Sequence, residues 1–355
     1  MVMTSNRVTS EFQDVVDKIG DIGRKRHTPH VLEHAQDNRI RIRKSLAELP
    51  MPTGAKAESG ILISAGPSVH RKNSIRRILD TGYSGTVIAV DGAYLACLRN
   101  GLIPDYIVTL DPHTTRVVRW FGDHDFEENS RNDDYFQRQD LDVEFRKNSL
   151  EQNQQNIALV NKHGSHTRAL VATTVPKNVA QRIEEARFDA YWWNPLVDDP
   201  SQSGSLTRQL YQINKLPCIN TGGNVGGAAW VLATAVLKIP RIALVGMDLG
   251  YYADTPLHMT QTYHELIRHS GMTEGIERFF CDFTFPLTGE QFYTDPTYYW
   301  YRKNFLQLLE KSSSWTVNCT EGGTLFGPDI ECQYLHDFLQ KTTELATAVK
   351  ETAHG

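Results

Sequence analysis

The sequence predicts an α/β protein, a parallel sheet with helices on both faces, preceded by a helical segment. Three observations lead there. Short apolar runs bounded by turn residues alternate with longer helical stretches, the pattern of right-handed βαβ units. The 355 residues, 40% hydrophobic and 22% charged, suffice to bury a large core. Glycine- and proline-containing turns follow the apolar runs directly, at the edge where a parallel sheet binds ligands.

Taken in order, residues 1–55 are polar, with Phe12, Val15, Val16 and Ile19 at helical spacing and a basic stretch from Arg24 to Lys44. They read as a helical N-terminal extension; Arg39, Arg41, Arg43 and Lys44 could touch a phosphate-rich partner or a membrane surface, but a solvated helix face is the more ordinary reading and no chemistry is assigned to them. A Gly/Pro linker at 50–54 gives way to GILIS at 60–64, a run too short for a helix and bounded like a buried strand. A turn and a helix to about residue 80 follow. Further strands are expected at 86–90 and 106–110, with a helix over 93–99 between them. Between 122 and 156 the chain turns polar and acidic, the signature of an exposed insertion or loosely packed helices. The apolar pattern resumes at 157–160 and 169–175. A long helix is expected over 225–237, then a strand at 241–245. Residues 279–296 are aromatic and irregular, and 297–310 and 329 to about 350 read as helices. The expected division is an extension (1–55), one catalytic domain (56–340) and a tail (341–355).

Composition narrows the function. A net charge of −5 lacks the basic footprint of a nucleic-acid binder. The N-terminus has no signal-like apolar core, and no run approaches the roughly 18 apolar residues of a membrane span, so a cytoplasmic protein is expected. Five cysteines, odd in number and without C-x-x-C spacing, fit neither a disulfide framework nor a structural zinc site. Cys281 and Cys319, in loop-rich stretches, are the two that could be reactive.

The candidate ligand loops follow the strands. Gly66-Pro67-Ser68 supplies a glycine for close backbone approach and a serine suited to capping a helix whose N-terminus would face an anion. Asp91-Gly92 and Asp111-Pro112-His113 place one carboxylate after each of the next two strands, suited to ribose or base contacts or to acting as a base. Thr221-Gly222-Gly223-Asn224 opens an apolar helical stretch that contains two more glycines, where about 1 kcal/mol of helix stability per glycine is given up for close approach. Gly246-Met247-Asp248 follows the 241–245 strand, with His258 a few residues on, and Thr320-Glu321-Gly322 forms a late polar turn. Neither a P-loop nor a GxGxxG fingerprint is present.

In this order GPS, VDGAYLACLRNGLIPDYIVTLDP, TGGNVGGAAWVLATAVLKIPRIALVGMDLGY with His258, and NCTEGG resemble the bacterial motility accessory factor (Maf) glycosyltransferases. They also resemble the wider family named after the archaeal 6-hydroxymethylpterin diphosphokinase (MptE-like). The resemblance covers about 58–340 and implies a Rossmann-like, sialyltransferase-like core. It implies transfer of a nonulosonic acid from a CMP-sugar to a protein or glycan acceptor, with no metal required. Gly66, Pro67 and Ser68 would cradle the phosphate, with Asp91, Gly92 and Asp111 facing the nucleoside. Thr221, Gly222, Gly223 and Asn224, with Thr320, Glu321 and Gly322, would line the donor site. Asp248 and His258 would sit near the transfer centre, with His113, His264 and His269 as rival bases. The diphosphokinase branch would instead use ATP and Mg, held by Asp91, Asp111 or Asp248. It carries a T-D-L-D-G-like segment where this chain has Thr109-Leu110-Asp111-Pro112-His113, which favours the glycosyltransferase side. A third possibility is a nucleotide-binding protein without catalysis.

Overall fold

The computed structural model describes residues 8–131, 145–271 and 274–342. Its strands are β1 (Gly60–Ile63), β2 (Thr86–Val90), β3 (Tyr106–Thr109), β4 (Arg168–Ala172), β5 (Asp189–Leu196), β6 (Cys218–Asn220), β7 (Arg241–Val245), β8 (Tyr251–Tyr252), β9 (Cys281–Thr284), β10 (Gln291–Thr294), β11 (Trp315–Asn318) and β12 (Glu331–Cys332). Contacts divide the chain into two compact units. Of the described residues, the first takes in those up to Gly23, Gly54–Gly85 and those from Ile239 on; the second takes in those within Arg24–Thr53 and Thr86–Lys238.

In the first unit four parallel strands run in the order β12-β11-β7-β1. Ile63 lies opposite Val245, and Asn318 opposite Leu244, so the loops after β1, β7 and β11 leave one edge together. Every residue of β1 is buried, as expected of a continuous apolar run in a parallel sheet. The aromatic stretch expected to be irregular forms β9 and β10, which with β8 make a small antiparallel sheet. Phe292 pairs with Tyr252, and both pack with Phe285. Two four-residue strands joined through a positive-φ glycine, Gly289, are hard to read from sequence because neither is long enough to show a period.

The second unit is also parallel, in the order β2-β3-β4-β5-β6. Both the Asp91–Arg99 helix and the Val225–Val231 helix pack on β2 and β3. Sequence reading passed over β5 and β6. The first carries Asn194 and Pro195 within DAYWWNPL and the second is three residues long, so neither shows a strand signature. The buried Asn194 is accommodated because Thr173 donates to its Oδ1 at 2.6 Å while its Nδ2 donates to Asn214 at 2.8 Å.

Other expectations are corrected by packing. Residues 157–160 belong to the Phe145–His163 helix, since four apolar residues fit a buried helix face as well as a strand. The expected helix over 225–237 is α-helical only to Val231, then a π-helical turn from Leu232 to Val236. At the C-terminal end β12 comes first and the helix starts at 335; the tail beyond 342 and insertion residues 132–144 lie outside the described residues.

The Ser10–Asn38 helix contributes to both cores. In the first unit Phe12 and Val16 are buried with Cys281, Tyr299 and Trp300 around them. In the second, Val31 and Ala35 pack on Leu206 and Leu210, and Asn38 donates to the carbonyls of Thr173 (3.0 Å) and Val175 (2.7 Å). Within the basic run Arg39, Arg43 and Lys44 are exposed, and two members pair with carboxylates, Lys44 with Asp189 at 2.6 Å and Arg41 with Glu184 at 3.2 Å. No described helix is long and apolar enough to cross a membrane.

Candidate functional site

The residues singled out in the sequence fall into two groups, one in each unit. Gly66, Pro67, Ser68, Asp248, His258, Thr320, Glu321 and Gly322 belong to the first; Asp91, Gly92, Asp111, Thr221, Gly222, Gly223 and Asn224 belong to the second.

In the first unit the loops after β1, β7 and β11 lock onto one another. Ser64 N–H donates to Val245 O (2.8 Å) and Gly66 N–H to Gly246 O (2.9 Å). Ser68 donates to Asp248 twice, through its backbone N–H (3.0 Å) and its hydroxyl (2.5 Å). The helix start expected to face a ligand phosphate is therefore met by the protein's own carboxylate. A methyl group at Gly66 would stand 2.5 Å from Asp248 Cγ, which is why that position needs glycine. Asp248 is 3% exposed; burial pushes its pKa up to about 6, against the pull of Ser68, Arg71 and Lys72.

The third loop closes the arrangement. Thr320 Oγ1 accepts from Met247 N–H (3.3 Å), and Thr324 N–H donates to Asp248 O (2.7 Å). Glu321, in the left-handed region at φ +57°, accepts from Arg77 (2.7 Å) and from Leu335 N–H (2.8 Å). Its carboxylate thus fixes the loop and the start of the following helix. At Gly322 a methyl would approach Phe292 Cζ to 2.8 Å. Cys281 and Cys319 are buried and burial raises both thiols, the opposite of what a reactive thiolate needs.

Two side chains here escaped sequence reading. The hydroxyls of Tyr252 (3% exposed) and Ser64 (7% exposed) are buried without a hydrogen-bond partner among the described residues. The Arg71 guanidinium lies 3.9 Å over the Tyr252 ring and pairs with Asp254 through two contacts of 2.9 and 3.0 Å. Burial holds the Tyr252 phenol well above its usual range, so it remains a donor. His258 is exposed on the one-turn Leu257–Met259 helix. The segment leading to it is held by Tyr251, whose hydroxyl donates to buried Asp295 (2.8 Å) and accepts from Gln261 N–H (3.1 Å). His264 lies on the Tyr263–Ser270 helix; the side chain of His269 is outside the described residues.

In the second unit Asp91 and Asp111 follow the neighbouring strands β2 and β3. Asp91 is 5% exposed and accepts from Gly92 N–H (2.7 Å) and from the Thr109 hydroxyl (3.0 Å). Burial first, then the charge of Asp111, pushes its pKa up to about 7. Near neutral pH this carboxyl therefore exists in both forms. Asp111 accepts from His113 N–H (2.9 Å), a local turn.

The loop after β6 is built by its own side chains. Asn220 accepts from Gly222 N–H (3.1 Å), Thr221 from Gly223 N–H (3.1 Å), and Asn224 caps the next helix at Gly227 N–H (2.9 Å). Gly222 and Gly223 have φ of +60° and +92°, and a methyl at Gly227 would collide with Thr221 O. Backbone geometry and close packing thus account for these glycines. Asn224 Nδ2 remains buried without a partner among the described residues. Among the described residues no group of three or more His, Cys, Asp or Glu side chains converges as a metal site; the Asp91 oxygens already serve Gly92 and Thr109.

No protein-family model matches the chain, and no curated protein matches it. Among solved structures it is similar to the Maf glycosyltransferase from Magnetospirillum magneticum AMB-1, with a TM-score of 0.52 and 14% sequence identity. The likeness covers 91% of this chain and 42% of that one, so the chain spans less than half of that structure's length. At this identity the two share a fold.

Proposed function

We propose that the chain is a glycosyltransferase that moves a sugar, a nonulosonic acid, from a CMP-sugar to a hydroxyl of a protein or glycan. The observation that carries this reading is the fold likeness to a solved glycosyltransferase over 91% of the chain. The strand-end loops lend it support. In the second unit Asp91, held near its titration point, and Asp111 suit the nucleoside, and the free amide of Asn224 in the Thr221–Asn224 loop suits the donor's oxygens. In the first unit the uncommitted hydroxyls of Ser64 and Tyr252 supply donors beside the turn Gly66-Pro67-Ser68.

In such a reaction the acceptor oxygen attacks the anomeric carbon through an oxocarbenium-like transition state. The bond from that carbon to the phosphate oxygen breaks and CMP departs with the electron pair. The acceptor proton passes to a base, and amide or hydroxyl donors stabilise the departing phosphate. His258, exposed and free to approach an acceptor, is the base we assign, and Asp248 shapes the turn through Ser68. The reading requires no metal.

A thermal-shift titration with CMP, CDP, UDP, GDP and ATP, each with and without magnesium, tests it, because a ligand that binds the folded state raises the melting temperature. Metal-independent stabilisation by CMP is expected. Stabilisation by ATP alone and only with magnesium would replace the reading with diphosphate transfer.

A further inference from the structure

The second unit contains a cleft of about 710 Å³ that none of the motif residues singled out in the sequence lines. Its walls come from the Ser10–Asn38 helix (His34, Asp37), the start of the Thr114–Val118 helix (Thr114, with Asp123 further on), and the start of the Lys177–Glu185 helix (Lys177, Asn178). Every side chain lining it is polar or charged.

His34 is the most constrained of these groups. It is 9% exposed, and its Nδ1 lies 2.9 Å from the carbonyl oxygen of Thr174, the second residue after β4. A carbonyl can only accept, so Nδ1 carries the proton and the neutral ring keeps a lone pair on Nε2. Burial favours that neutral ring. No protein partner for Nε2 is found among the described residues. Thr174 in turn donates through its hydroxyl to Leu110 O (3.1 Å), which directly precedes Asp111. The cleft is thereby fixed to the strand edge that carries Asp111.

The charges around it narrow the ligand. Arg182 pairs with Glu185 (2.6 Å) and donates to Asn161 (2.8 Å) and Phe121 O. The Asp123 carboxylate accepts from Asn129 (2.8 Å) and Asn178 (3.3 Å). Open toward a ligand stand acceptors and donors together: His34 Nε2, the Glu33, Asp37 and Asp125 carboxylates, the Gln181 amide and the Lys177 ammonium. With no aliphatic, Phe, Tyr or Trp side chain in its lining the cleft suits neither a nucleobase nor a lipid, and its five carboxylates against Lys177 and Arg182 disfavour a phosphate. Hydroxyl groups, which donate and accept in turn, match it.

We propose that this cleft binds a polyhydroxylated ligand, with His34 Nε2 accepting a hydrogen bond from one of its hydroxyls. This binding goes beyond the glycosyltransferase reading above and does not depend on it. The test is saturation-transfer NMR and calorimetric titration of the full chain with lactose, N-acetyllactosamine and methyl α-mannoside, run beside the CMP thermal shift. His34→Asn keeps an amide donor for Thr174 O and deletes Nε2. Lys177→Ala, at an exposed position, serves as the second variant should the first fail to fold.

The expected result is saturation transfer to at least one sugar, weakened about fivefold in either variant, the worth of one hydrogen bond. Absence of transfer to all three sugars overturns the cleft assignment, and so does binding that neither variant alters. If CMP stabilises the protein while no sugar binds, the enzyme reading survives without this cleft. If a sugar binds at the cleft while no cytidine nucleotide stabilises the protein, the cleft stands and the glycosyltransferase reading falls.

Discussion

Replacing Asp91 by asparagine separates the energetic consequence of burying this carboxyl from everything else in the protein. Its folded pKa is raised from 3.8 to about 7. A raised acid holds its proton more tightly in the folded state, so it lowers stability as pH climbs from the ordinary value to the folded one, and adds nothing further above it. At about 1.36 kcal/mol per unit the whole interval amounts to about 4 kcal/mol. Between about pH 5.5 and about pH 8.5 only the part below about 7 counts, which leaves about 2 kcal/mol. Asparagine copies the protonated acid, its carbonyl oxygen facing Gly92 N–H and its amide facing the Thr109 hydroxyl, and it cannot ionise. Asp248 and Asp295, whose pKa values are also raised, titrate in both proteins and cancel in the difference. Urea unfolding at the two pH values, followed by the fluorescence of buried Trp192 and Trp193 in the same unit, measures it. Asp91→Asn should gain about 2 kcal/mol on the parent at the higher pH. A difference that is the same at both pH values, or that favours the parent on raising pH, would refute the account of Asp91 as a buried, half-titrated acid.

Other perturbations test the remaining parts. Asp248→Ala strands the buried donors of Ser68 and should lower stability by about 2–4 kcal/mol in chemical denaturation. Gly66→Ala, whose methyl meets Asp248 and Gly246 O at 2.5 Å, should destabilise by about 3 kcal/mol or more, seen as loss of soluble protein or a depressed melting temperature. Glu321→Ala removes a partner from Arg77 and a cap from Leu335 N–H; a loss of about 1–3 kcal/mol is expected, and no change would show that the loop is held by Thr320 and Thr324 alone. His258→Ala, at an exposed position, should leave stability within about 0.5 kcal/mol and keep the CMP thermal shift while abolishing sugar transfer; full transfer in this variant would move the base to another histidine.

Local chemistry made part of this protein legible. β1, β2, β3 and β7 were readable because each is an unbroken apolar run ended by glycine, proline or aspartate, and a strand buried on both faces needs nothing else to announce itself. The glycines at 66, 222, 223 and 227 stand out in sequence because a positive φ or a close approach leaves its trace in one residue. What those constraints serve was not readable. Ser68 and Asp248 were both visible, yet that one caps the other across 180 positions follows only from β1 lying beside β7. His34 sat in a segment to which the sequence assigned no chemistry, and it acquires a defined tautomer only because Thr174, 140 positions away, turns its carbonyl toward it. The strand β5, with Asn194 and Pro195 inside it, is stable because its neighbours supply the hydrogen bonds its sequence lacks. Periodicity and turn chemistry are properties of a few consecutive residues, so one sequence determines them. The order of parallel strands is set by crossovers of many tens of residues, and that order alone decides which distant side chains share an edge.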